Sequence, residues 1–353
     1  MPERNWGCRV SLDHTYKGYR AVVMQNDLIR VCILADKGGD IVEFLHKPSD
    51  TDFMWWTPWG LHAKGEFTPS SANTAGEFAD RYEGGWQEIF PSGGVANKHA
   101  NTEFGLHGEA SLLPWSARIL EDGADTVTVE LSVETVRTPF RCVKRLSLRK
   151  GVGALFIEEE LRNIGETPCD AMWGHHPAFG APFLGPQCRI DLPGALAEFA
   201  LDFSETPRFE RGAEGRWPRV MGKAGKSIDI SKFPSPSRRS ADMFFLKALK
   251  GNWYGLTNTA TKVGFGMSWD LKTFPYLWFW QVYKGGLGTP FWGRTYNCAL
   301  EPFSSIPSGL AHAHRRGTHL AFKPGQVRKT WLTAVAYAGK SRVKKVARDG
   351  RVS

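Results

Sequence analysis

Six short stretches of this chain alternate or carry β-branched side chains at strand spacing: "YRAVVM" (19–24), "LIRVCIL" (28–34), "DIVEFLH" (40–46), "TVTVELSV" (126–133), "VKRLSLR" (143–149) and "ALFIEEELRN" (154–163). Turn signals separate them, such as "DKGGD" at 36–40, "EDGAD" at 121–125 and "RKGVG" at 149–153. A period of two places alternate side chains on opposite faces, so each stretch suits a sheet with one face packed. Within 154–163, Leu155 and Ile157 alternate with acidic neighbours, which predicts one wet face. No stretch keeps a helical stripe for more than a few turns. Many short strands without intervening helices point to an all-β sandwich or barrel rather than βαβ units. With 353 residues the chain is long enough to bury a large core. Neither a linker nor an internal repeat interrupts it, so residues 1–339 read as one β domain. Two segments, Thr68–Gly85 and Ser204–Arg239, read as loops.

Charge is unevenly placed. The formal net charge is +9, but the last fourteen residues, "KSRVKKVARDGRVS", hold six Lys or Arg and one Asp. That segment therefore contributes +5 and leaves +4 for the other 339 residues. Residues 340–353 read as a solvated, flexible basic tail. No basic stripe interleaved with aromatics occurs elsewhere, so nucleic acid is not an expected partner. The start, "MPERNWGCRV", has no apolar leader core, and no apolar run is long enough to span a bilayer. The six cysteines lie far apart with no CxxC pair. Together these features predict a cytoplasmic protein with free thiols and no membrane association.

Five positions, three histidines and two carboxylates, stand in contexts that suit proton chemistry. In "WGHHPAFG" (173–180), His175 and His176 precede a proline that holds the backbone extended. His107 lies in "EFGLHGEASLLPW", against a glycine that admits close approach. Asp242 enters the apolar run "ADMFFLK", and Glu301 sits in "YNCALEPFSSIP" directly before a proline. Singly, each residue has an ordinary reading as a turn residue or a structural ion-pair partner. Together, imidazoles and carboxylates on apolar strands suit a general acid/base site. A metal at His312, His314 and His319 ("HAHRRGTH") is not expected, because Arg315 and Arg316 intervene and no acidic ligand is adjacent. A nucleophile is not expected either: "PSGG" and "PSGL" lack the GxSxG elbow, and no Cys adjoins a His.

These motifs, in this order, resemble the aldose 1-epimerase (galactose mutarotase-like) family over nearly the whole chain. The carriers are "DLIRVCILADKGGDIVEFLHK", "GGWQEIFPSGG", "LHGEASLLPW", "LSLRKGVGALFIEEELRNIGETPCDAMWGHHPAFG", "ADMFF" and "ALEPFSSIP". The His-Pro-x-Phe and Glu-Pro pieces are the most specific. The resemblance implies a large antiparallel β-sandwich and a cofactor-free reaction on a small sugar. It implies His176 as general acid, Glu301 as general base, His107 as a sugar-bonding imidazole, and Asp242 as the carboxylate holding sugar hydroxyls. His175 has no counterpart in the usual pattern and is expected to orient His176 or touch substrate.

The implied chemistry is anomer interconversion: a base takes the anomeric hydroxyl proton, an acid protonates the ring oxygen, and the opened sugar recloses on either face. That requirement predicts an ionised Glu301 beside a protonated His176. Trp86, Trp173 and Trp292 are the rings expected against the sugar face. Glu109, where relatives acting on phosphorylated hexoses commonly carry Arg, favours a non-phosphorylated aldose; Arg81 and Arg294 remain as cationic contacts. A non-catalytic sugar-binding protein on the same fold is the alternative. Glycoside cleavage by Asp242 and Glu301 is a third reading.

Overall fold

A computed structural model describes residues 4–66, 76–201 and 206–353. Two large antiparallel sheets face one another. The six stretches that alternate in sequence are all strands: Tyr19–Gln25, Ile29–Leu34, Asp40–His46, Thr126–Glu134, Phe140–Arg149 and Ala154–Asn163. The first three join the larger sheet, which has fourteen strands among the described residues; the last three join a sheet of eight. The expected β-sandwich is the fold observed.

Alternation makes the core. Val31, Phe44, Phe179, Phe244 and Leu300 from the larger sheet meet Leu131, Leu146, Ile157, Phe265 and Leu332 from the smaller one, all fully buried or nearly so. Burying a side chain of this size contributes about 1.5–3 kcal/mol. Two polar ties cross this apolar layer. His175 Nε2 lies 3.0 Å from Glu159 Oε2, and Lys144 Nζ lies 3.0 Å from Glu88 Oε2. Glu159 is thus the acidic residue of 154–163 that sits on the dry face, where the sequence pattern places only apolar side chains.

The centre of the larger sheet runs in the order Trp86–Ile89, Gly174–Gly180, Tyr296–Phe303, Tyr276–Tyr283, Ser240–Lys247. Its outer face, turned away from the smaller sheet, carries a second apolar cluster that includes Trp55, Phe78, Tyr82, Met243, Phe245, Trp278, Trp280 and Phe303.

Two expectations of irregular chain are corrected. Parts of Thr68–Gly85 and Ser204–Arg239 lie outside the described residues. Within what is described, a short helix occupies Gly76–Ala79, and three short strands, Glu214–Arg216, Arg219–Met221 and Ser227–Asp229, extend the larger sheet at one edge. Three-residue strands are too short to show a period, which is why they escape a pattern search.

Residues 340–353 dock on the smaller sheet instead of being solvated. Val343 and Val346 are buried with Ala154, Val335 and Tyr337. Val343 N–H donates to Asp191 Oδ2 at 2.9 Å, and Thr333 Oγ1 donates to the Arg348 carbonyl at 2.8 Å. Glycines make the seat: a Cβ at Gly255 would come within 2.9 Å of Val343, and one at Gly266 within 2.8 Å of Val346.

Candidate functional site

Strand register decides which residues meet. Gly174 pairs with Phe303 and Ala178 with Ala299, which sets His176 directly across from Glu301. On the next strand Glu301 pairs with Trp278, and Trp280 pairs with Met243 beyond it. His176, Glu301, Trp278, Trp280 and Met243 therefore share the outer face of the larger sheet, and all five line a cavity of about 300 Å³. Phe78, Tyr82, Leu106, His107, Phe291 and Ser308 are among the residues that wall it. Trp278 is held flat by Phe303, stacked 3.8 Å away at 6°, and by its indole N–H donating to the Ser305 carbonyl.

His107 reaches the cavity from a loop. Its φ is 64° and that of Gly108 is 74°, two successive left-handed residues. A Cβ at Gly108 would lie 2.4 Å from the Phe90 carbonyl oxygen, so only glycine fits there. The turn aims the His107 ring at His176, with centroids 5.3 Å apart, and seats it edge-on to Phe78 at 4.4 Å.

At the cavity floor His176 Nε2 lies 3.6 Å from Glu301 Oε1, and His176 Nδ1 lies 3.4 Å from the Tyr82 hydroxyl. Glu301 Oε2 and His107 Nδ1 are buried with no hydrogen-bond partner among the described residues. Burial lowers His176 to about 4 and raises Glu301 well above the usual carboxylate range. Burial, and then the neighbouring His176, push His107 well below the usual imidazole value. Both directions favour the neutral forms over the expected ionised Glu301 beside a protonated His176. An ion pair would have to be desolvated, whereas a neutral carboxyl beside a neutral imidazole holds the same single proton at lower cost.

The remaining sequence candidates lie elsewhere. Asp242 sits on the opposite face of its strand from Met243. It is bound by Arg208, whose Nε lies 2.5 Å from Oδ2 and whose backbone N–H donates to Oδ1 at 2.9 Å. His175 points into the sandwich, against Glu159 and Phe274, and accepts the Trp86 indole N–H at 3.2 Å. Trp86 and Trp173 are core residues, and Trp292 is 65% exposed. Arg81 lines a separate surface hollow with Lys37 and His62, and Arg294 is exposed. Glu109 does not face substrate either: its carboxylate accepts from the N–H groups of Val136 and Arg137 and from the Thr138 hydroxyl. Tyr82, Trp278 and Trp280 were not anticipated. The alternation in "YLWFWQVY" marks Trp278 and Trp280 as sharing a face; nothing in sequence says which face opens on a cavity.

Residues 16–335 match the sequence model of a domain of unknown function, DUF4432. The chain belongs to the DUF4432 family. No curated protein matches it. Solved structures similar to this DUF4432 chain include a candidate aldose 1-epimerase from Klebsiella pneumoniae subsp. pneumoniae, at TM-score 0.70 and 15% identity, covering 95% of this chain and 84% of that one. A galactose mutarotase-like protein from Clostridium acetobutylicum superposes at 0.64 and 13% identity, covering 94% and 99%. A galactose mutarotase related enzyme from Lactobacillus acidophilus does so at 0.60 and 16%, covering 92% and 100%. Identities this low show a shared fold, the galactose mutarotase-like sandwich.

Proposed function

We propose that this protein is an aldose 1-epimerase acting on a non-phosphorylated sugar. The observation that carries the reading is the 3.6 Å approach of His176 and Glu301 in a buried, aromatic cavity. A hemiacetal carries its ring oxygen and anomeric hydroxyl on one carbon, so an acid and a base serving both must stand this close. No Lys or Arg is among the described residues that line the cavity, which leaves a phosphate without a partner and replaces the argument from Glu109. Trp278, Trp280 and Phe291 offer ring faces for a sugar's apolar side.

The pair moves two protons in concert. With the resting proton on Glu301, its carboxyl protonates the ring oxygen while His176 takes the anomeric hydroxyl proton. The C1–O5 bond breaks, the carbonyl end rotates, and both transfers reverse on closure. The acid and base assignments are thereby exchanged relative to those implied by the family resemblance. The Tyr82 hydroxyl contacts His176 Nδ1, and His107 lines the same cavity. Glycoside cleavage loses its second carboxylate, since Asp242 is on the far face of the sheet.

The test is the decay of optical rotation of freshly dissolved single-anomer aldoses. His176→Ala and Glu301→Gln should each slow it about 10²–10⁴-fold. Sugar binding, followed by tryptophan fluorescence, should survive in Glu301→Gln. A wild type that binds sugars without accelerating mutarotation would establish the sugar-binding reading instead.

A further inference from the structure

Outside the residues that line the cavity, the fold gathers two of the three imidazoles set aside in sequence, His314 and His319, with His99. His314, on the helix Leu310–Arg316, places Nδ1 3.0 Å from Asp170 Oδ2. His99, at the end of the strand Asn97–His99, places Nε2 2.8 Å from the same oxygen. These three ligand atoms all lie within 4.8 Å of one another. His319 Nε2 stands 3.5 Å from the other carboxylate oxygen, Oδ1. The rings are gathered side by side, with centroids 4.7 Å apart for His99 and His314 and 4.5 Å for His314 and His319.

We infer that His99, His314 and Asp170 form a binding site for a divalent transition-metal ion of the zinc class. Two imidazoles and a carboxylate are the donors such ions take, and bonds of about 2.0–2.1 Å at tetrahedral angles set ligand atoms about 3.3 Å apart. The observed separations from Asp170 need only a few tenths of an ångström of adjustment. His319 holds the non-ligating carboxylate oxygen, the outer-sphere contact that orients a metal-bound carboxylate. The fourth position opens to solvent, since the His314 side chain is 49% exposed.

The tertiary structure supplies the missing acidic ligand and neutralises one of the two intervening arginines. The acidic ligand is Asp170, 144 residues from His314, brought in by pairing of Cys169–Ala171 with Leu320–Phe322. The guanidinium of Arg316 is neutralised by two hydrogen bonds to Glu198, each 2.8 Å. His312 is exposed and takes no part in the cluster. The ion would join elements whose near ends reach the sugar cavity: Val95 precedes Asn97–His99, and Ser308 precedes the helix.

The experiment uses the untagged full chain, stripped with a chelator and titrated with Co²⁺ and then Zn²⁺. One equivalent of Co²⁺ should give the visible absorption of a four-coordinate nitrogen and oxygen site, and one of Zn²⁺ should erase it and raise Tm. His99→Ala, His314→Ala and Asp170→Asn should each weaken binding at least about 100-fold, and His319→Ala about 10–100-fold. His312→Ala should bind as the wild type does. Wild-type protein showing neither the Co²⁺ signal nor a Zn²⁺-dependent Tm rise would overturn the site. So would a signal that His99→Ala and His314→Ala leave intact, because the ion would then be bound elsewhere.

Discussion

Glu301 is a buried carboxyl in a cavity lined, among the described residues, by no Lys or Arg. Its raised pKa has a thermodynamic consequence. Between the unfolded value near 4.5 and the raised folded value, the native state keeps a proton that the unfolded chain releases. Glu301 therefore contributes most to stability at acid pH, and that contribution is lost as pH rises. Gln does not titrate, so the Tm advantage of Glu301→Gln over the wild type should grow from pH 5 to pH 8. His176 acts in the opposite sense. With a folded pKa of about 4 it costs stability as pH falls from 6.5 toward 4, where the unfolded chain takes up the proton first. Thermal melts across the range read both effects. A Tm difference for Glu301→Gln that shrinks with pH would mean an ionised, paired carboxylate and would refute the neutral resting pair.

At the scale of the strand, one-residue steps separate function from framework. His175 and His176 are neighbours in sequence on opposite faces of Gly174–Gly180. Met243 and Asp242 divide Ser240–Lys247 in the same way. Substitutions at the two inward positions should therefore act on stability. His175→Ala leaves Glu159 Oε2 buried without that hydrogen-bond partner and should cost about 1–3 kcal/mol. Asp242→Asn removes the charge that Arg208 binds and should also lower Tm. In the folded fraction of each variant, KM for the sugar should stay within about twofold of wild type. A raised KM with an unchanged Tm in either would return that residue to the cavity.

Across the whole molecule, the sandwich is thicker than two sheets. The outer face of the larger sheet is roofed by a short helix carrying Phe78 and by loops carrying Tyr82 and His107, and the smaller sheet is covered in part by residues 340–353. Val343 and Val346 each contribute about 1.5 kcal/mol through burial, before the hydrogen bonds to Asp191 and Thr333 are counted. Deleting 340–353 should accordingly lower Tm by several degrees and leave the cavity and its optical-rotation assay unaffected per folded molecule. A truncated chain melting with the full-length one would show that these contacts carry no stability.

Period-two alternation was enough to read six strands of the two sheets, because a strand with one wet face must put apolar side chains on the other whatever its neighbours are. His107, His176 and Glu301, which line one cavity, stood out because titratable groups in apolar segments are costly and their motifs resemble a known family. Alternation does not say which face is the inside of the sandwich and which is the floor of a cavity. Asp242, His175 and Trp86 thus stood as candidates beside Glu301 and His176 until sheet order and register separated them, and Trp278 was not among them. The tail's valines were hidden by the charges between them and by the need for distant glycines to make room. The His99–Asp170–His314 cluster lay further beyond reach. Its members come from three remote segments, and only the pairing of short strands and the docking of one helix bring their side chains within bonding distance.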